Sequence, residues 1–309
     1  MSIDIPRRTV DELITLYTVE PEVRDIYTEG RSDKNFLQAH VIDFTNNPLC
    51  TAYAVSDRVD IPDGVLIQAG IMVGARGRIQ WLAEQLAARI PNHDSVKLIA
   101  DRDFASVGAD DSSDIHGLIY TDYSSMEAYA LNESTISKLL GAALGVPQHV
   151  SAGKVLVAIK STLVALFLIR LCLRESKTGV RIPPKTLTKW DVDKHSKDSV
   201  IAAFRASLQT LSADERNGVT LESLVTRYEM YEEKVGGDVR NFSNGHDISL
   251  AIILYLKTHC GHVFNSDVRR PFQSPKVFEV LLMSCIERRV LLKEPLFKEL
   301  TTWASCRID

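Results

Sequence analysis

The chain has 309 residues, 45% hydrophobic, 25% charged and 7% aromatic, with 36 Lys+Arg against 40 Asp+Glu and a formal net charge of −4. This composition excludes a disordered, collagenous or disulfide-stapled class, and the length suggests about two domains. The net charge argues against coating nucleic acid by bulk positive charge. It hides a division, however: residues 1–150 hold 12 Lys+Arg against 22 Asp+Glu, and residues 151–309 hold 24 against 18.

In chain order, residues 24–28 (RDIYT) read as a short strand ending at Glu29-Gly30. Residues 32–40 (SDKNFLQAH) then read as a helix that Ser32 or Asp33 could cap. Residues 51–55 (TAYAV) form a second strand pattern, and Ile79, Leu82, Leu86 and Ile90 recur at helical spacing within 76–90. Residues 96–100 (VKLIA) read as a buried strand running into Asp101-Arg102-Asp103. Residues 118–121 (LIYT) make a fourth strand, followed by a helical pattern over 126–131. Such alternation predicts an α/β domain, a mostly parallel sheet flanked by helices, with ligands beyond the carboxyl ends of its strands. Beyond about residue 150, helical patterns dominate, at 154–175, 197–211, 219–234, 247–259, 275–290 and 295–304. The expected organisation is an α/β domain over 1–148 and an all-α domain over 149–309.

Five widely spaced cysteines with no CxxC pair fit reduced thiols, and the N-terminus carries no apolar stretch of signal-peptide length. Residues 155–173 are mostly apolar, but Lys160 and Arg170 interrupt them. A membrane span wants about 20 apolar residues without such charges, so a buried helix is expected. The chain reads as cytoplasmic, with no membrane partner.

Three acidic elements could share one site: Glu29 with Asp33, Asp101 with Asp103, and Glu127 in the stretch YSSMEAY. Gly30 would let the backbone turn sharply and leave room for a phosphate. In extended backbone, residues two apart face the same way, so Asp101 and Asp103 could reach one ion. Oxygen ligands of this kind suit Mg²⁺, and two such ions about 4 Å apart support phosphodiester cleavage. Without cations, each close carboxylate pair costs about 1 kcal/mol in water, and about 4 at an effective dielectric of 20. A DxD after a strand also occurs in glycosyltransferases and HAD-type phosphatases, and Asp110-Asp111 follows Asp101 too soon to supply the later acids of the latter.

These segments resemble a known family. IYTEGRSD, carrying Glu29 and Asp33, is similar to the opening motif of TOPRIM domains in the EGxxD form of OLD-like nucleases. LIADRD, carrying Asp101 and Asp103, resembles the family's DxD motif, and Glu127 resembles its later glutamate. Gly245-His246-Asp247 resembles a motif of a TOPRIM group with a helical C-terminal half, which includes the nuclease effector of the PARIS anti-phage system. The resemblance implies a TOPRIM domain and a metal-dependent endonuclease using Mg²⁺, with Mn²⁺ as the alternative ion. Glu29 would bind metal and act in acid/base chemistry, and Asp33, Asp101, Asp103 and Glu127 would complete the ligands. It further implies a toxic defence effector acting on tRNA, with DNA as the alternative substrate, an ABC-type ATPase partner and a homodimer when active. A later lysine, Lys154 or Lys160, would steady the transition-state charge. A degenerate TOPRIM interaction module is the non-enzymatic alternative.

Other patterns carry less. GIMVGARG (70–77) does not match GxGxxG, and SAGKV (151–155) lacks a preceding strand, so no nucleotide fingerprint is expected. His259 and His262 flank Cys260 and read as a helix-end turn, and His246-Asp247 could be a simple helix cap. Arg269-Arg270, Arg288-Arg289, Lys293 and Lys298 could together contact backbone phosphates.

Overall fold

A computed structural model describes residues 6–45, 47–91, 93–108, 114–147, 149–193 and 196–305. Asp110 and Asp111 lie outside the described residues. The chain divides into two compact units: Met1–Arg102 with Asp111–Asp122 and Arg288–Asp309, and Asp103–Asp110 with Tyr123–Glu287.

The first unit is built on a four-stranded parallel sheet: β1 (Arg24–Thr28), β2 (Cys50–Ala54), β3 (Val96–Ala100) and β4 (Leu118–Tyr120), in spatial order β2-β1-β3-β4. All five residues of β1 are buried, as expected of a central strand covered on both faces. The helix α1 (Val10–Val19), which strand–helix alternation did not suggest, begins at a Thr9–Glu12 capping box. It buries Leu13 and Tyr17 in a core with Tyr27, Ile79, Leu82, Leu86 and Leu98. The helix α2 (Arg31–His40) starts earlier than its sequence pattern suggested, with Gly30 at the N-cap. Asp33 lies inside the first turn and Ser32 is helical; the cap is the Gly30 amide bound by Asp33, not a side chain at 32 or 33.

The chain's last helix returns to this unit. Pro295–Ser305 places Phe297 edge-on to Phe36 of α2 at 5.9 Å, and the Trp303 indole N–H donates to the Asp94 carbonyl at 2.7 Å. The compact units therefore do not coincide with the expected division at 148/149. Residues Tyr123 onward group with the helices, and the described residues 288–305 group with the sheet.

The second unit is helical. The helix Ala152–Glu175 packs against Leu221–Glu232 and Gly245–Cys260, the latter also against Pro275–Ser284, and Lys197–Leu208 packs against Leu221–Glu232. Ala152–Glu175 is long and apolar enough to cross a membrane by length and composition alone, but its most apolar 18-residue stretch is 61% buried within the protein. It is a core helix. The pattern read over 275–290 is broken, with a helix Pro275–Ser284 and a single turn Arg288–Leu291. The segment read as helical after β4 is a short 3₁₀ helix, Met126–Ala130.

Candidate functional site

The chain leaves β1 for β2 on one side and then crosses to β3 on the other, so the order reverses between β1 and β3. Ligands of parallel sheets bind beyond the carboxyl ends of strands at such a reversal. Thr28 pairs with Ile99, and Glu29 and Asp101 are the first residues beyond the ends of these adjacent strands. A Glu29 carboxylate oxygen (Oε1) accepts from the Asp101 amide at 3.1 Å, and both residues are half-buried. One residue further, α2 begins. Its positive end lies next to the end of β1, a backbone arrangement suited to phosphate. Asp33, in that first turn, accepts from the Gly30 amide at 3.1 Å. Gly30 has ordinary extended backbone (φ −121°), not a left-handed turn, and a Cβ there would sit 3.1 Å from Asp33 Oδ2. The space at this glycine is filled by the chain's own carboxylate. Arg31 is held by a bidentate pair with Asp57 at 2.6 and 2.9 Å.

The chain passes from one compact unit to the other between Arg102 and Asp103. β3 ends at Ala100, and Asp103 adopts a left-handed conformation (φ 48°), so the extended alternation that would aim Asp101 and Asp103 alike does not continue through the tripeptide. In the second unit the Asp103 amide donates to the Ser124 carbonyl at 2.9 Å. The Ser124 hydroxyl lies 2.7 and 2.6 Å from the carbonyls of Arg240 and Ser243.

Glu127 is buried against the first residue of the helix Gly245–Cys260. A Cβ at position 245 would stand 2.0 Å from Glu127 Oε2, so only glycine admits the carboxylate there. Burial pushes the Glu127 carboxyl above its usual range, with Glu279 adding to the rise and its own backbone amide opposing it. His246 Nδ1 lies 2.8 Å from Glu279 Oε2, and that hydrogen bond is the main cause raising the imidazole pKa. One residue on, Asp247, 1% exposed, takes a bidentate ion pair from Arg170 at 2.6 and 2.6 Å. The GHD stretch is thus a helix opening that receives one carboxylate, presents one imidazole and anchors one arginine. Sequence reading singled out His246 and Asp247 but missed Glu279. It treated Arg170 only as an interruption of an apolar run, although a charge inside a buried helix signals a buried partner.

Among the described residues, no three His, Cys, Asp or Glu side chains group closely enough to hold a metal ion among themselves. Mg²⁺ needs no such cage: it keeps several waters and is held by one or two carboxylates plus substrate phosphates. Glu29 and Asp101, oxygen donors at adjacent strand ends beside a helix N-terminus, fit that chemistry. Lys154 donates at 3.2 Å to the carbonyl of His149, which lies just before its own helix. Lys160 is exposed and close enough to Asp238 to lower that carboxyl's pKa. Of the basic residues, Arg288 is spent on structure, bonded to the His40 carbonyl at 3.2 Å and lying 4.4 Å from the Phe44 ring centroid. His259 pairs with Asp193 at 3.0 Å at its helix end.

The fold and this geometry define an α/β protein with two acidic residues, Glu29 and Asp101, at the switch point of a parallel sheet, followed by a largely helical region. No protein-family model matches the sequence, and no curated protein matches it.

Proposed function

We propose that this chain is a divalent-cation-dependent nuclease with a TOPRIM-type first unit, built around Glu29, Asp33 and Asp101. The observation that carries the reading is the contact between Glu29 and the Asp101 amide where β1 and β3 end side by side. Mg²⁺ or Mn²⁺ would supply charge neutralisation at a phosphodiester and a more acidic bound water. Glu29 and Asp101 would hold the cation, and the amides opening α2 would face a phosphate, oriented without side-chain entropy cost. Asp33 would fix the Gly30 turn through its amide.

The motif resemblance supports a cytoplasmic toxic effector of anti-phage defence. It would act on tRNA, be restrained by an ABC-type ATPase and pair as a homodimer when active. A DNA-directed OLD-like nuclease is the second enzymatic reading, and the intact acidic residues of all three motifs favour either over a degenerate interaction module.

The test is to incubate purified protein and a Glu29→Ala variant with total tRNA and with plasmid DNA, with and without Mg²⁺ or Mn²⁺. Cation-dependent RNA fragments absent with Glu29→Ala are the expected result; nicked plasmid would move the assignment to DNA. No cleavage of either substrate by the folded protein would falsify the nuclease reading.

A further inference from the structure

The second unit contains a cavity of about 290 Å³ that the proposed nuclease chemistry does not use. It is lined by Arg205, Leu208, Gln209, Arg216, Val219, Thr220 and Leu221. Arg205 and Gln209 are four residues apart, on one face of the chain where Lys197–Leu208 ends, and Thr220 is the N-cap of Leu221–Glu232. The cavity therefore lies at the end of one helix and the start of another.

Its two guanidiniums have no carboxylate partner among the described residues. Arg216 Nε is buried with no hydrogen-bond partner, and among the described residues neither Arg205 nor Arg216 forms an ion pair. Of the buried side-chain nitrogens without a partner, this one belongs to a residue that lines a cavity, where an anion can reach the guanidinium. The nearest acid in sequence, Glu215, does not fill the role, because its carboxylate accepts from the Ser212 amide at 2.8 Å and the Ser212 hydroxyl at 2.7 Å. At the helix start, Thr220 and Ser223 cap each other's amides, leaving those of Leu221 and Glu222 without intrahelical acceptors. Two guanidiniums beside such amides match a phosphate, which guanidinium recognises in bidentate fashion. Leu208, Val219 and Leu221 supply an apolar wall for the body that carries it. The volume is just under the ~300 Å³ at which small-molecule sites begin, which limits that body to a small one.

We propose that this cavity binds a small phosphomonoester, no larger than a nucleoside monophosphate, with its phosphate held by Arg205 and Arg216 and its body against Leu208, Val219 and Leu221.

Titration calorimetry of the full chain in EDTA, which removes any dependence on the proposed metal site, tests this with adenosine 5′-monophosphate, ribose 5-phosphate and adenosine. Saturable binding of both phosphomonoesters is expected, with adenosine weaker by about tenfold or more, the worth of one charge-assisted hydrogen bond. Arg216→Gln and Arg205→Gln should each weaken adenosine monophosphate by about the same factor. Arg205 is exposed, so its variant keeps the fold intact should Arg216→Gln lose it. Absence of phosphomonoester binding, adenosine binding as tight as its phosphate, or unchanged affinity in the folded Arg205→Gln variant would overturn the assignment.

Discussion

Asp25 sits inside the first unit with the hydroxyl of Tyr17 bonded to it at 2.8 Å, and Tyr17 is in turn 2.8 Å from the Tyr27 hydroxyl. Burial raises the Asp25 pKa to about 6, against the opposing pull of the Tyr17 hydrogen bond and of Arg58 and Arg8. Between the unfolded value near 3.8 and about 6, the folded protein keeps a proton that the unfolded chain has released. This residue's contribution to stability is therefore full below about pH 4 and is lost as pH rises through 6, by about 3 kcal/mol at 1.36 kcal/mol per unit. Asp25→Asn removes the titration while leaving an acceptor for Tyr17. Urea denaturation at pH 4.5, 5.5 and 7 should show the variant gaining on the parent as pH rises. A difference constant across that range would mean that Asp25 does not hold its proton.

At the scale of elements, the helix Ala152–Glu175 carries a charged residue, Arg170, at its contact with Gly245–Cys260. Arg170 neutralises Asp247, which is 1% exposed at the start of Gly245–Cys260, so the pair joins two helices through two short hydrogen bonds. Removing one partner leaves a buried charge, a loss of about 3–5 kcal/mol, whereas removing both is often near neutral. Arg170→Met should lower the urea midpoint of the helical signal substantially, and adding Asp247→Leu should recover most of the loss. If the double variant is as unstable as the single, the interaction is not a simple pair. The elements themselves were largely legible in sequence. All four strands were found to within a residue at each end, because each is a short β-type run bounded by turns. The strand-end positions of Glu29 and Asp101 followed from the same reading. What local pattern could not carry were pairings across long sequence distances: Arg170 with Asp247, His246 with Glu279, and Glu127 against Gly245. Nor could it foresee that Asp103 turns left-handed three residues past the end of β3, which changes where its side chain goes without altering hydropathy.

Across the whole molecule, the sequence order of segments and their packing order differ, and the C-terminal helix is where this has a consequence. Pro295–Ser305 buries Leu296, Phe297, Leu300 and Trp303 in the unit that contains the sheet. Its position is fixed by polar contacts as well: the Leu296 amide to the Asp122 carboxylate at 3.2 Å, Lys97 to Glu299 at 3.4 Å, and the Asn47 amide group to the Ala304 carbonyl at 2.9 Å. A chain truncated to residues 1–148 lacks this cover and also carries Tyr123 onward, whose partners are in the other unit. Losing one of the fully buried aromatic side chains costs about 3–5 kcal/mol, a large part of the 5–15 kcal/mol that holds a domain together, and here two aromatics and two leucines go at once. Residues 1–148 alone should therefore give a poorly dispersed amide NMR spectrum and bind a hydrophobic dye. Because Asp122 touches Leu296, residues 1–122 joined to 288–309 by a short Gly/Ser linker should instead give a dispersed spectrum and a cooperative melt. A well-dispersed spectrum from 1–148 by itself would show that the returning helix is dispensable, and would restore the simpler division of the chain near residue 148.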